Sequence, residues 1–100
     1  MALEGLIITH HAQERGGRYV AQLEGESATG YLEWEPAGED VRIATHTVVP
    51  RSIGGRGVAA ALTERLIEDA RLQGFRIVPA CSYTAARFAE HPEWADLRAV

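Results

Sequence analysis

A chain of 100 residues is the size of one small domain, able to bury roughly 65% of its unfolded surface and so to build one core but not two. Hydrophobic residues at 46% against charged residues at 24% exclude a disordered chain, and no apolar run approaches the roughly 20 residues of a membrane span. The formal charge of −4, with no interleaving of basic and aromatic residues, argues against a nucleic-acid partner.

The N-terminal segment carries Glu4 and no basic stretch, so no signal peptide is expected. Cys81 is the one cysteine, which excludes an internal disulfide and a cysteine-based zinc cluster and fits a cytoplasmic protein. None of the four histidines (10, 11, 46, 91) has the i, i+4 spacing of a helical metal pair, so no metal is expected. All ten basic residues are arginine, and asparagine is absent too. Codon usage in a GC-rich genome would account for that and for sixteen alanines. Whatever its origin, it removes lysine as Schiff-base nucleophile, general base or phosphate-loop cation.

In chain order, Leu3–Thr9 is a short β-prone run. Arg18–Leu23 alternates, with Tyr19, Ala21 and Leu23 on one face, and glycines at 16, 17 and 25 mark the turns around it. Thr29–Glu35 alternates again, placing Tyr31, Glu33 and Glu35 opposite Gly30, Leu32 and Trp34. Pro36–Asp40 reads as a loop, and Val41–Val49 is a fourth strand ending at Pro50. The period then changes. Val58, Ala59, Leu62, Leu66 and Ala70 recur at helical spacing, and Arg71 and Gly74 close a helix over 57–73. Phe75–Ala80 is a fifth strand, Tyr83–Glu90 a short helix with Ser82 as its N-cap, and 92–97 a last turn. His10 and His11 fall in an early loop and His91 at the closing turn.

The expected architecture is therefore α+β, in the order β-β-β-β-α-β-α, as a single domain over residues 1–100. An antiparallel meander joins a parallel β-α-β unit whose strands, 41–49 and 75–80, are neighbours through a right-handed crossover.

Charge is uneven along the chain. Between Arg51 and Arg76 five arginines face three acids, a net of +2, whereas the remainder has five arginines and eleven acids. A cationic segment in an acidic protein suggests a local anion site. It begins with Arg51-Ser-Ile-Gly-Gly-Arg-Gly-Val-Ala59, three glycines opening the long helix. Glycine admits close backbone approach, and a helix N-terminus offers unpaired N–H donors. A lysine-bearing phosphate loop is excluded for want of lysine, and the dinucleotide pattern G-x-G-x-x-G does not fit. An anion cradle and an ordinary strand-to-helix turn both remain open at this point.

Strand, Val48-Val49-Pro50, Gly54-Gly-Arg-Gly-Val-Ala59 and an amphipathic helix closed by Gly74 resemble the acetyl-CoA loop of the GNAT superfamily of N-acetyltransferases. Thr45–Pro50, Val78-Pro-Ala-Cys-Ser-Tyr83 and Glu90-His-Pro-Glu-Trp94 are similar to its minimal single-domain, YjdJ-type members, over about residues 5–97. The resemblance implies a GNAT-like fold with acetyl-CoA as cosubstrate. The two parallel strands would splay, with pantetheine against the backbone of Val48 and Val49 and pyrophosphate on the amides of Gly55, Arg56, Gly57, Val58 and Ala59. Gly54 belongs to the same loop but stands where the superfamily pattern carries Gln or Arg. Arg56 and Arg51 are candidates to replace that side-chain contact.

Acetyl transfer to an amine needs a base for the amine and either a proton donor or a thiol nucleophile on the thioester side. Cys81, ending the fifth strand before a helix, is the candidate thiol, as acetyl acceptor or proton donor; the alternative is a small buried hydrophobe. His46 is the candidate base, or else a histidine bonded within the sheet. Tyr83 is a candidate proton donor to the departing thiolate, or packs the last helix. Glu33 and Glu35 either attract a cationic amine or form a solvated face, and Trp34 and Trp94 read as core anchors.

The expected activity is acetyl-CoA-dependent N-acetylation of an amine, in a small molecule or a protein. The acidic remainder favours a cationic or macromolecular acceptor, with no nucleic-acid or membrane partner and a monomer or weak dimer in solution. The rival is a non-catalytic CoA-sensing or partner-binding module on the same fold.

Overall fold

The computed structural model describes residues 4–99. Strands β1 (Leu6–Gln13), β2 (Gly16–Leu23), β3 (Thr29–Pro36) and β4 (Val41–Val48) form an antiparallel meander. A 3-10 turn at Arg51–Ile53 leads to helix α1 (Val58–Gln73), and β5 (Arg76–Pro79) returns parallel to β4, completing the sheet order β1-β2-β3-β4-β5. Helix α2 (Ser82–Glu90) and a 3-10 turn at Pro92–Leu97 follow. This is the expected α+β order.

Some boundaries differ from expectation, each for a readable reason. The first strand lies at Leu6–Gln13 rather than 3–9, because its partner β2 starts at Gly16 and a two-residue turn, Glu14-Arg15, joins them. His10 and His11 are therefore strand residues and not loop residues. His10 faces the core side, stacked on Tyr19 at 4.2 Å, with its Nε2 accepting from Trp34 Nε1–H at 3.0 Å. The N-cap of α2 is Cys81, not Ser82, and makes no side-chain cap bond. Leu3 lies outside the described residues.

All the helices cover one face of the sheet. Tyr19, Ala21 and Leu23 of β2, with Leu32 and Trp34 of β3, meet Leu62, Leu66 and Ala70 of α1 in one buried cluster that also takes in Phe88 and Trp94. The alternation read in the sequence is thus the division between a covered and an open face. Gly17 is required beneath Trp34, since a Cβ there would lie 2.6 Å from the indole ring. At the far end of the covered face, Tyr19 Oη–H donates to the buried Asp69 at 2.7 Å, and burial with that bond raises the phenol pKa. Arg42 lies between the Trp34 and Phe75 rings, 3.9 and 4.0 Å from their centroids. His91 stacks on Trp94 at 4.1 Å and pins the C-terminal turn. No helix among the described residues is long and apolar enough to cross a membrane.

Candidate active site

The parallel pair opens where β5 runs out. The register between β4 and β5 extends from Val41↔Arg76 to Ala44↔Pro79. Pro79 has no N–H to continue the ladder, and Ala80 N–H turns back to Val78 O at 3.0 Å. The last tie is Cys81 N–H donating to Ala44 O at 2.9 Å. Beyond it, Thr45–Val48 has no backbone partner on its β5 side among the described residues. A cleft with a strand edge for one wall results. Val48 stands 41% exposed along it.

The same stretch of β4 carries a bulge. Glu33 pairs with His46 and the next residue, Trp34, with Ala44, so Thr45 is an extra residue, held by its Oγ1–H to Glu33 O at 3.3 Å. Thr47, opposite Leu32, faces the covered side, while His46, opposite Glu33, faces the open side.

The glycine loop lies at the head of this cleft. The 3-10 turn closes with Ile53 N–H on Pro50 O and Gly54 N–H on Arg51 O, both at 3.1 Å, so the Gly54 donor is committed within the protein. Gly55 and Gly57 take left-handed φ of 73° and 86°, the conformation glycine favours. The first amide of α1 to find an intrahelical acceptor is Ala61, on Gly57 O at 3.0 Å. No side chain caps the helix and no acid lies in its first turn, so the Val58, Ala59 and Ala60 donors face outward without a competing anion. Arg56, exposed beside them, is held by Glu26 at 3.2 Å. These features fit a pyrophosphate, and the open strand edge fits an amide-bearing chain beside Val48 and Val49.

Cys81 sits at the mouth of the cleft as the N-cap of α2, half-buried. Burial pushes its thiol pKa up, but hydrogen bonds outweigh burial: the Thr84 amide, the Thr47 hydroxyl, the Tyr83 amide and the Thr84 hydroxyl favour the thiolate and hold the thiol below its ordinary value. As a thiol, Sγ–H donates to Thr47 Oγ1 at 3.6 Å; on ionisation the direction reverses. The Thr84 hydroxyl is fully buried and makes no hydrogen bond. Such a buried donor beside the sulfur would gain an acceptor on ionisation of the thiol.

His46 is solvent-exposed, with Nδ1 3.6 Å from Glu33 Oε1. The other Glu33 oxygen is taken by Arg18 through Nε, at 3.2 Å, and Nη2. Arg18 in turn lies 4.0 Å above the Tyr31 ring. Tyr83, in the first turn of α2, is half-buried, and burial raises its phenol pKa against the opposing pull of Arg87. Thus Cys81 and Thr47 are brought together on the covered side of β4, His46 and Glu33 on the open side. Reading the sequence alone missed Thr47, Thr84 and the Arg18–Glu33 pair. A threonine three residues after an N-cap was a signal available for Thr84, whereas Thr47 depends on a bulge that leaves no sequence mark.

Residues 18–97 match a family model described as GCN5-related N-acetyl-transferase. The fold is similar to a crystal structure of a GNAT family acetyltransferase from Elizabethkingia anophelis with acetyl-CoA bound, at a TM-score of 0.65 and 14% identity, over 91% of this chain and 76% of that one. No curated protein matches the sequence. The architecture is that of the GNAT acetyltransferases, and the chain belongs to the GCN5-related N-acetyltransferase family.

Proposed function

We propose that the protein is an acetyl-CoA-dependent N-acetyltransferase that works through Cys81. One observation carries the reading: a thiol with a lowered pKa stands at the mouth of a strand cleft whose far end is an uncapped, glycine-opened helix terminus. The bound acetyl-CoA of the Elizabethkingia neighbour supports the same cosubstrate here. The Pro79-Ala-Cys-Ser-Tyr83 and His91-Pro-Glu-Trp94 motifs support a place among the minimal single-domain members of the family. A lone free thiol suits the reducing cytoplasm.

In this reading the amides of Gly55, Gly57, Val58 and Ala59 hold the pyrophosphate, joined by Arg56 once it leaves Glu26. The backbone of Val48 and Val49 orients the pantetheine arm. The Cys81 thiolate attacks the thioester carbonyl; its S–C bond forms, the bond to CoA sulfur breaks, and CoA leaves as a thiolate that takes a proton from solvent. Tyr83 keeps its proton and can donate a hydrogen bond to that sulfur. The Glu33 carboxylate beside Nδ1 of His46 favours the tautomer with a free Nε2 lone pair. Nε2 removes the amine proton as nitrogen attacks the acetyl group, and the Cys81 thiolate is regenerated.

The test is intact-mass analysis after incubation with acetyl-CoA and no acceptor. One added acetyl group, mapped to Cys81 and absent from Cys81→Ala, is the expected result. Loss of thioester turnover in Cys81→Ala with unchanged CoA affinity completes the case. Equal single-turnover rates for the two proteins would defeat it, and retained CoA binding without turnover by either would favour a sensor.

A further inference from the structure

We propose that the open face of the sheet binds the acceptor, and that the acceptor is a free diamino acid of the lysine type. In this arrangement Arg15 and Glu35 hold the amino-acid head group and the side-chain amine reaches His46. The inference rests on the acetyltransferase reading and adds to it a substrate class.

The open face carries a pocket of about 490 Å³, with His46, Thr45, Arg15 and Glu35 among its lining residues. That volume suits a small molecule. Its charges balance, with Arg15 and Arg18 against Glu33 and Glu35. Arg18 and Glu33 are committed to one another. Arg15 and Glu35 are both exposed and have no hydrogen-bond or ion-pair partner among the described residues, and nothing unites them but the pocket. They are also close in register. Gly17 pairs with Trp34, and a Cβ on Gly16 would lie 3.6 Å from Glu35 Cα, which places Arg15 and Glu35 at the same end of the β2–β3 pair.

Two unpartnered charges of opposite sign, both lining a neutral pocket and both at the same end of the β2–β3 pair, complement an α-carboxylate and an α-ammonium. A polyamine or a basic peptide would find one free carboxylate and be repelled by the neighbouring guanidinium. This narrows the expectation of a cationic acceptor drawn from net charge to one that also carries a carboxylate: the pocket is neutral even though the chain is not. The spacing selects the rest of the molecule. Glu35 is two residues along β3 from Glu33, roughly 6.8 Å, and His46 is one strand across, roughly 4.8 Å, so the backbone separation is about 8 Å. A side-chain amine on a stem of three or four carbons bridges a gap of that order. There the nitrogen forms its bond to the acetyl carbon, the S–C bond breaks, and the proton passes to His46 Nε2.

Calorimetric titration of the wild-type protein with L-lysine, cadaverine and spermidine tests the head-group requirement. Cadaverine keeps both amines and the chain length but lacks the α-carboxylate. Lysine should bind at least tenfold more tightly than either amine. Arg15→Gln and Glu35→Gln should each weaken lysine about tenfold and leave acetyl-CoA affinity unchanged. Amines that bind as well as lysine, or variants that bind lysine as wild type does, overturn the proposal. Thiol release measured in parallel separates the two layers. Selective lysine binding without thiol release would count against the transferase reading and leave the pocket assigned. Thiol release with cadaverine and lysine alike would do the reverse.

Discussion

The buried hydroxyl of Thr84 makes a two-part prediction that a merely structural role would not. Thr84→Val keeps a β-branched side chain of the same shape in the helix, so neither helix propensity nor packing volume changes appreciably. What it removes is a fully buried hydroxyl without a partner. Leaving such a group unsatisfied costs about 1–3 kcal/mol, so the variant should be more stable by about 1 kcal/mol. For a chain of this size that is a rise in Tm of roughly 4–8 °C. The same change takes a donor from the Cys81 thiolate. A hydrogen bond to a charged group contributes about 1.5 kcal/mol, so the thiol should titrate higher once it is lost. Iodoacetamide alkylation of the lone cysteine, followed from pH 5 to about 10, reads the shift as a displaced midpoint. Thr84→Ser, which keeps the hydroxyl, should leave the midpoint near wild type. A stability gain with an unmoved midpoint would refute the reasoning, since the hydroxyl would then be a packing fault and not a donor held for the ionised sulfur.

Other consequences follow from the surrounding charges. Burial, reinforced by Arg42, lowers the pKa of His10, so the folded protein favours the neutral ring that accepts from Trp34. Because the unfolded chain binds that proton more readily, this contribution is complete above the free value of 6.5 and is lost as pH falls through the lower folded pKa. Urea unfolding should show stability falling with acidification below 6.5, and His10→Gln should flatten that limb; an unchanged slope would refute the assignment. Glu26 holds Arg56 in an exposed pair, so Glu26→Gln should free the guanidinium and tighten acetyl-CoA two- to fivefold, of the order such pairs are worth. Arg56→Ala should weaken it, and isothermal titration at two salt concentrations measures both.

How far the sequence could be read depended on whether a feature was periodic or depended on a break in the period. The meander, the crossover and the core side of β2 and β3 were legible because Tyr19, Ala21, Leu23 and Leu32, Trp34 alternate, and α1 because Val58, Leu62, Leu66 and Ala70 recur at helical spacing. The glycine loop was legible from composition, since Gly55 and Gly57 stand where left-handed backbone is needed. The first strand was misplaced because its limits are set by pairing with β2, a contact over distance rather than a local preference. Cys81 was found as a residue next to a helix, but its electrostatics depend on Thr47, 34 positions away. The Arg18–Glu33 pair was likewise hidden, because register alone makes those residues neighbours.

The bulge at Thr45 decides which face of β4 His46 and Thr47 take and offers the proposed site a severe test. On a regular strand, His46 would share a face with Ala44, which is buried against the helices, and Thr47 would face outward. The extra residue reverses both. It turns Thr47 toward Cys81 and sets His46 opposite Glu33 on the open face. Deleting Thr45 should remove the bulge and leave His46 opposite Glu33 and Thr47 opposite Leu32, so both faces are kept. The variant should keep its β-sheet circular dichroism, since only one residue and its bond to Glu33 O are lost. It should keep the Thr47 contribution to Cys81, so the alkylation midpoint stays near wild type, and acetyl transfer should stay within about tenfold, short of the hundredfold that a positioned base is worth. A folded deletion variant with a raised midpoint and transfer down about a hundredfold would show that the site needs the bulge itself and not only the faces of His46 and Thr47. If the variant fails to fold, Thr47→Val and His46→Gln carry the same test separately: the first should move the alkylation midpoint without removing the base, and the second should abolish acceptor turnover while leaving acetyl loading of Cys81 intact.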